Sequence, residues 1–133
     1  MTKIIESGKR KTSVARAILI DGNGKVKING RDHNTLTEFD KLVIEEPLRI
    51  AKHILGDLKF DVEINVKGGG EKGQVEACRV ALSRAIDTFS KSKELHDAFM
   101  NYDRNMLVAD VRRKEAYKPG DSRARAKRQT SYR

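Results

Sequence analysis

Apolar and polar positions alternate most regularly between residues 60 and 67. Phe60, Val62, Ile64 and Val66 are interleaved with Asp61, Glu63, Asn65 and Lys67, the period of a strand with one covered face. Ser13 to Asp21 is apolar on both alternations (Val14, Ala15, Ala17, Ile18, Leu19, Ile20), which predicts a strand covered on both faces. Asp21-Gly22-Asn23-Gly24 is a turn signal, and Lys25 to Asn29 alternates after it. The two segments therefore predict a hairpin. A helical period takes over at Glu45-Glu46-Pro47, where acids and a proline suit a first helical turn. Its stripe is Leu48, Ala51, Ile54 and Leu55, and Gly56 is its stop. From about Glu71 to Ser90 a longer helix has Val75, Cys78, Leu82, Ala85, Ile86 and Phe89 on one face, with Glu76, Arg79, Ser83 and Asp87 opposite. Leu95, Ala98, Phe99 and Tyr102 predict a third, shorter helix. Met106 to Ala109 is open to reading as a last strand. The order predicts an α+β fold, a single sheet of about four strands backed by helices.

Charge divides the chain. Of its 133 residues, the last 23 carry nine Lys/Arg against two Asp/Glu, or +7 of the total +9; residues 1–110 carry 19 against 17. A near-neutral globular domain over residues 1–110 and an extended basic tail over 111–133 follow. The tail has too little aliphatic surface to offset its own ordering entropy. A concentrated cationic arm points to a polyanion, and nucleic acid fits best. In the tail arginine outnumbers lysine six to three, which favours bidentate phosphate contacts. Arg123, Arg125, Lys127 and Arg128 alternate with small alanines that let an extended chain lie close to a backbone. Tyr132 beside Arg133 offers a stacking plane and a charge. A lipid-binding role ranks last, since no Trp and no amphipathic apolar face accompany those charges.

Two clusters in the body join the tail as candidates. Lys9, Arg10 and Lys11 form a basic run with Arg16 on the strand behind it. Gly68, Gly69, Gly70, Lys72 and Gly73 form a glycine loop between strand and helix. Three readings of this loop stand: a nucleotide site, a tight strand-to-helix turn, and an RNA-backbone contact. Its spacing satisfies G-x-G-x-x-G and nearly fits a P-loop, with Asp87 placed for a ribose. Gln74 and Val75 replace the P-loop lysine and hydroxyl residue, however, and helix continues where a second parallel strand belongs. Bare amides at a helix N-terminus suit any phosphate, so the weight falls on RNA. Catalysis finds no support: His33, His53 and His96 lack metal-ligand spacing, and no nucleophile-base arrangement can be argued. Cys78, the one cysteine, sits on a helix's apolar side as an inert thiol, which makes a reducing cytosol the default setting. No cofactor, small-molecule substrate or membrane is called for, and no run approaches the ~20 apolar residues of a span.

These segments resemble the small-subunit ribosomal protein S-nine family over essentially the whole chain. The matching motifs are Gly8 to Arg16 (GKRKTSVAR), Gly68 to Ala85 (GGGEKGQVEACRVALSRA), Asp110 with Arg112-Arg113-Lys114-Glu115, and the Arg/Lys-rich end at Gln129 to Arg133. Tyr132 at the penultimate position resembles archaeal and eukaryotic cytosolic members, and the modest length tilts towards an archaeal one. The resemblance implies a fold similar to the second domain of ribosomal protein S-five, with a left-handed β-α-β crossover that ordinary chirality rules would not predict. It implies a non-enzymatic, cytoplasmic component of the ribosome. The body, through Lys9, Arg10, Lys11, Arg16 and the Gly68 to Gly73 loop, would pack on the 3′ major domain of small-subunit rRNA among the proteins of the head. Arg112, Arg113, Lys114, Lys118, Arg123, Arg125, Lys127 and Arg128 would line a path through rRNA. Ser131, Tyr132 and Arg133 would meet the anticodon stem-loop of peptidyl-site tRNA.

Overall fold

A computed structural model describes residues 3–128 and Tyr132. Ser131 and Arg133, two of the three residues expected at tRNA, lie outside the described residues. The chain is α+β: strands β1 (Ile4–Arg10), β2 (Ser13–Asp21), β3 (Val26–Ile28), β4 (Arg31–Asp32) and β5 (Phe60–Lys67) form one sheet in the order β1-β2-β5-β3-β4. The helices are α1 (Glu38–Leu55), α2 (Glu71–Ser90) and α3 (Lys93–Tyr102). β3 and β5 are parallel neighbours joined through α1, a β-α-β unit in an otherwise antiparallel sheet. The architecture is consistent with the expected S-five-like α+β fold.

Residues 21–29 do not close a hairpin: β5 lies between β2 and β3. The reason is local. The Asp61 carboxylate on β5 accepts from the backbone N–H groups of Asn23 and Lys25, each at 2.9 Å, and the Gly22 and Gly24 amides donate to Lys59 and Phe60 carbonyls. The turn is thus fastened to the end of β5, and those bonds hold Asp61 below the ordinary carboxylate range.

β2 is covered on one face rather than two. Ser13, Ala15, Ala17 and Leu19 are buried, whereas Val14, Arg16 and Ile20 are exposed and Ile18 is half-buried. The charge in its centre, Arg16, cannot sit in a dry layer. On the covered side lies α2, itself overlaid by α1 and α3. Ser83, expected on a polar side, is therefore fully buried and donates to the Arg79 carbonyl at 2.7 Å. Gly8 in β1 lets the strand press on α2: a Cβ there would lie 2.5 Å from Ala77 O and from Ala81 N.

α1 begins at Glu38, so Pro47 is mid-helix rather than at its first position. A proline there removes one helical hydrogen bond at a cost of about 3 kcal/mol. Pro47 is buried in the same stripe as Ile44, Leu48 and Ala51, so packing offsets that loss. Gly56 ends the helix at φ 81°. Met106 to Ala109 forms no strand. A 3-10 turn over Arg104–Met106 inserts the fully buried Met106 into the core, and the Leu107 carbonyl accepts from Arg84 Nε at 2.8 Å. From Val108 to Arg128 there is no helix or strand.

Candidate nucleic-acid interface

The two body clusters, more than fifty residues apart in sequence, meet in space. The β1–β2 turn at Lys11 and Thr12 sits on the β5–α2 loop, where Ser13 Oγ donates to the Gly68 carbonyl at 2.9 Å and Gln74 Nε2 donates to it at 3.1 Å. The approach demands glycine. Gly68 and Gly69 have φ of 81° and 65°, and added Cβ atoms would lie 2.7 Å from Thr12 O and 2.1 Å from Ser13 Oγ. Thr12, Ser13, Gly70 and Gly73 line a shallow groove between them, and the first turn of α2 has no side-chain cap. Neither nucleotide reading finds its parts here. α2 is followed by α3 instead of a parallel strand, and Asp87 pairs with His96 at 3.0 Å. Among the described residues, no cluster of three or more metal-ligating side chains exists.

Partners separate the cations into free and committed. Lys72 Nζ lies 2.6 Å from Asp40 Oδ1, a carboxylate almost wholly buried, and this contact depresses the Asp40 pKa and raises that of Lys72. Arg10 pairs with Glu76 at 2.6 Å and with Asp110. Asp110 is also gripped by Arg112, whose Nη2 stands at 2.7 Å and whose backbone N–H donates at 2.9 Å. Contacts from Arg112, then Arg10, hold the Asp110 carboxyl far below its usual range. The root of the tail is thereby clamped to the end of β1. Lys9, Lys11 and Arg16, by contrast, are exposed and have no ion-pair partner among the described residues.

Along the tail, Arg113 donates to the Asp110 carbonyl at 2.9 Å, and Lys114 lies 4.7 Å from the centre of the Tyr117 ring. Arg125 pairs with Glu115 at 2.9 Å, and Arg128 Nε donates to Gly120 O at 2.6 Å. Lys118, Arg123 and Lys127 are exposed without an ion-pair partner among the described residues, and Tyr132 is 90% exposed. Such exposed pairs contribute about 0–1 kcal/mol each, so phosphates can displace them.

Sequence reasoning did not find Lys67, which stands on the outward face of β5 opposite Val14, one row from Arg16 and across β2 from Lys9. The period-two pattern that placed β5 contained the signal. Nor could spacing show that Asp40, Glu76 and Asp110 would take up three of the candidate cations.

A turn-on-glycine-loop groove, free cations at one end of a sheet, and a basic tail rooted beside them bear on family membership. Residues 8–133 match the family described as "Ribosomal protein S9/S16". The chain belongs to that family. It is 43% identical over 129 residues to the "Small ribosomal subunit protein uS9" of Methanococcus vannielii, with 95% of each chain covered. It is 44% identical, with the same coverage, to the protein of that name from Methanococcus maripaludis strain C5. Both relatives are archaeal, one of the two groups that the tyrosine near the chain's end fits and the one that the modest length favours.

Proposed function

We propose that this protein is a structural component of the small ribosomal subunit. Its globular body (residues 1–110) binds rRNA of the head, the 3′ major domain, and its basic tail (111–133) runs through rRNA to peptidyl-site tRNA. The observation that supports this best is the gathering of the free cations Lys9, Lys11 and Arg16, the glycine groove and the tail root at one end of the molecule. Arg10, Lys72 and Arg112 shape that end by their ion pairs, while the free cations and the groove amides face phosphate. The contacts are to backbone and sugar, hence selective for RNA shape more than sequence. Arg113, Lys114, Lys118, Arg123, Arg125, Lys127 and Arg128 follow the RNA path, and Ser131, Tyr132 and Arg133 meet the anticodon stem-loop. Fully drawn out on RNA, fifteen residues such as Pro119 to Arg133 could reach about 50 Å at ~3.3–3.6 Å each, well beyond the ~13 Å radius of gyration of a 100-residue body.

Neighbouring head proteins complete the setting, which is the cytoplasmic ribosome. No helix among the described residues is long and apolar enough to cross a membrane. The test is sedimentation with small subunits from which the endogenous copy has been removed. Stoichiometric re-entry of the full chain, lost on Lys9→Gln/Lys11→Gln/Arg16→Gln substitution, is the expected outcome. A chain that stays at the top of the gradient contradicts the proposal.

A further inference from the structure

The strand register defines a sheet face that no helix covers. Paired residues in adjacent strands point to the same side, so the face can be read row by row. Nearest the β1–β2 turn, Lys9 opposes Val14, which opposes Lys67. In the next row Ser7 opposes Arg16, which opposes Asn65. All six side chains are exposed, and neither row contains a carboxylate. None of the three cations has an ion-pair partner among the described residues.

Further along the sheet the character changes. Ile5 and Ile18 stand beside Glu63, which opposes Lys27, and Ile20 opposes Asp61. Acids and cations balance there. The cationic character of the face is confined to the end that adjoins the glycine groove.

We propose that this end of the open sheet carries the RNA contact on from the groove, with Lys67 joining Lys9 and Arg16 to grip the phosphate backbone of one rRNA strand that passes from the groove onto the sheet. The proposal rests on the rRNA-binding role argued above and assigns to it a surface and a residue, Lys67, that lie outside the glycine loop and the tail. Three arguments favour RNA over a protein partner. The core of a protein interface is depleted of charge, whereas these two rows hold three cations and only one apolar side chain, Val14. Lys9 and Lys67 lie two strand spacings apart, about 10 Å, and so straddle the line that Val14 and Arg16 mark on β2. Ser7 and Asn65 add uncharged hydrogen-bonding groups suited to sugar hydroxyls and phosphate oxygens.

The experiment uses the full chain and small subunits stripped of the endogenous copy. Arg16→Gln with Lys67→Gln is compared with Lys25→Gln plus Lys27→Gln, exposed cations from the balanced end. Expected is a loss of about tenfold in apparent affinity for the first pair, with the salt slope reduced by roughly 1.5–2 for two lost phosphate contacts. The second pair should change affinity by less than about twofold on the same footing. Circular dichroism melts establish that both are folded. A photo-crosslinker at Asn65 should give a nuclease-sensitive RNA adduct. Equal effects of the two pairs, or a nuclease-resistant adduct to a protein, overturns the extension onto the sheet. Failure of the unsubstituted chain to enter the subunit instead sinks the rRNA-binding role itself.

Discussion

Asp110 joins the end of the body to the start of the tail. It takes contacts from Arg10 on β1 and Arg112 in the tail, with Glu76 holding Arg10 from α2. Its folded pKa is depressed, so whatever stability the clamp contributes is present above the ordinary carboxylate value of 3.8. That contribution is lost as pH falls through the lower, folded value. Followed by carbon NMR, the Asp110 carboxyl should titrate well below 3.8, and Arg10→Gln should move its midpoint upward; a midpoint at or above 3.8 in the unsubstituted chain refutes the clamp. Cys78 makes the opposite case. Burial pushes its thiol up to about 12, so it should stay unreactive towards a thiol reagent at neutral pH and react fully once urea unfolds the chain. At this scale the candidate cations other than Lys67 were legible in sequence, but their availability was not. Arg10 and Asp110 are 100 positions apart and Lys72 and Asp40 are 32 apart, so only the folded chain shows which charges are committed.

Elements follow the strength of their local pattern. β5 and α2 lie where periodicity places them, since each has an unbroken apolar face and a glycine boundary. β1 escaped notice because it is an edge strand of mixed, charged composition (IIESGKR) that hydrogen-bonds on one side only. The first nine residues of α1 were hidden by a proline whose usual place is a helix start. Topology was the least legible feature. The turn after β2 looked like a hairpin, and one carboxylate, Asp61, decided otherwise. Close packing between elements supplies a direct check. In Gly8→Ala the new Cβ has only 2.5 Å to the α2 backbone, so β1 must shift. A loss of about 1–3 kcal/mol is expected in urea unfolding. A loss below about 0.5 kcal/mol, the range of a neutral surface change, contradicts the close contact of β1 with α2. Arg79, linked to Glu46 at 2.6 Å and Asp103 at 3.0 Å, ties α2 to α1 and to the segment after α3. Arg79→Ala strands two partly exposed acids, and a midpoint shift equivalent to about 2 kcal/mol is expected, under the ~3–5 kcal/mol of a fully buried pair. An unchanged midpoint would show that the three helices hold together without it.

For the whole molecule, a body of nearly balanced charge carries Lys9, Lys11, Arg16 and Lys67 together at one end, and a tail of +7 is rooted at that end. Binding that depends on such charges weakens steeply with salt. With six or more phosphate contacts, affinity should drop about a thousandfold or more between roughly 50 and 200 mM monovalent salt. A salt-insensitive association would point to an apolar interface instead. The division of labour between body and tail is the central claim, and the dissociation rate of peptidyl-site tRNA from ribosomes carrying a chain cut before Gln129 tests it most directly. The account predicts normal incorporation of the shortened chain and faster tRNA release; full incorporation with an unchanged release rate would contradict it.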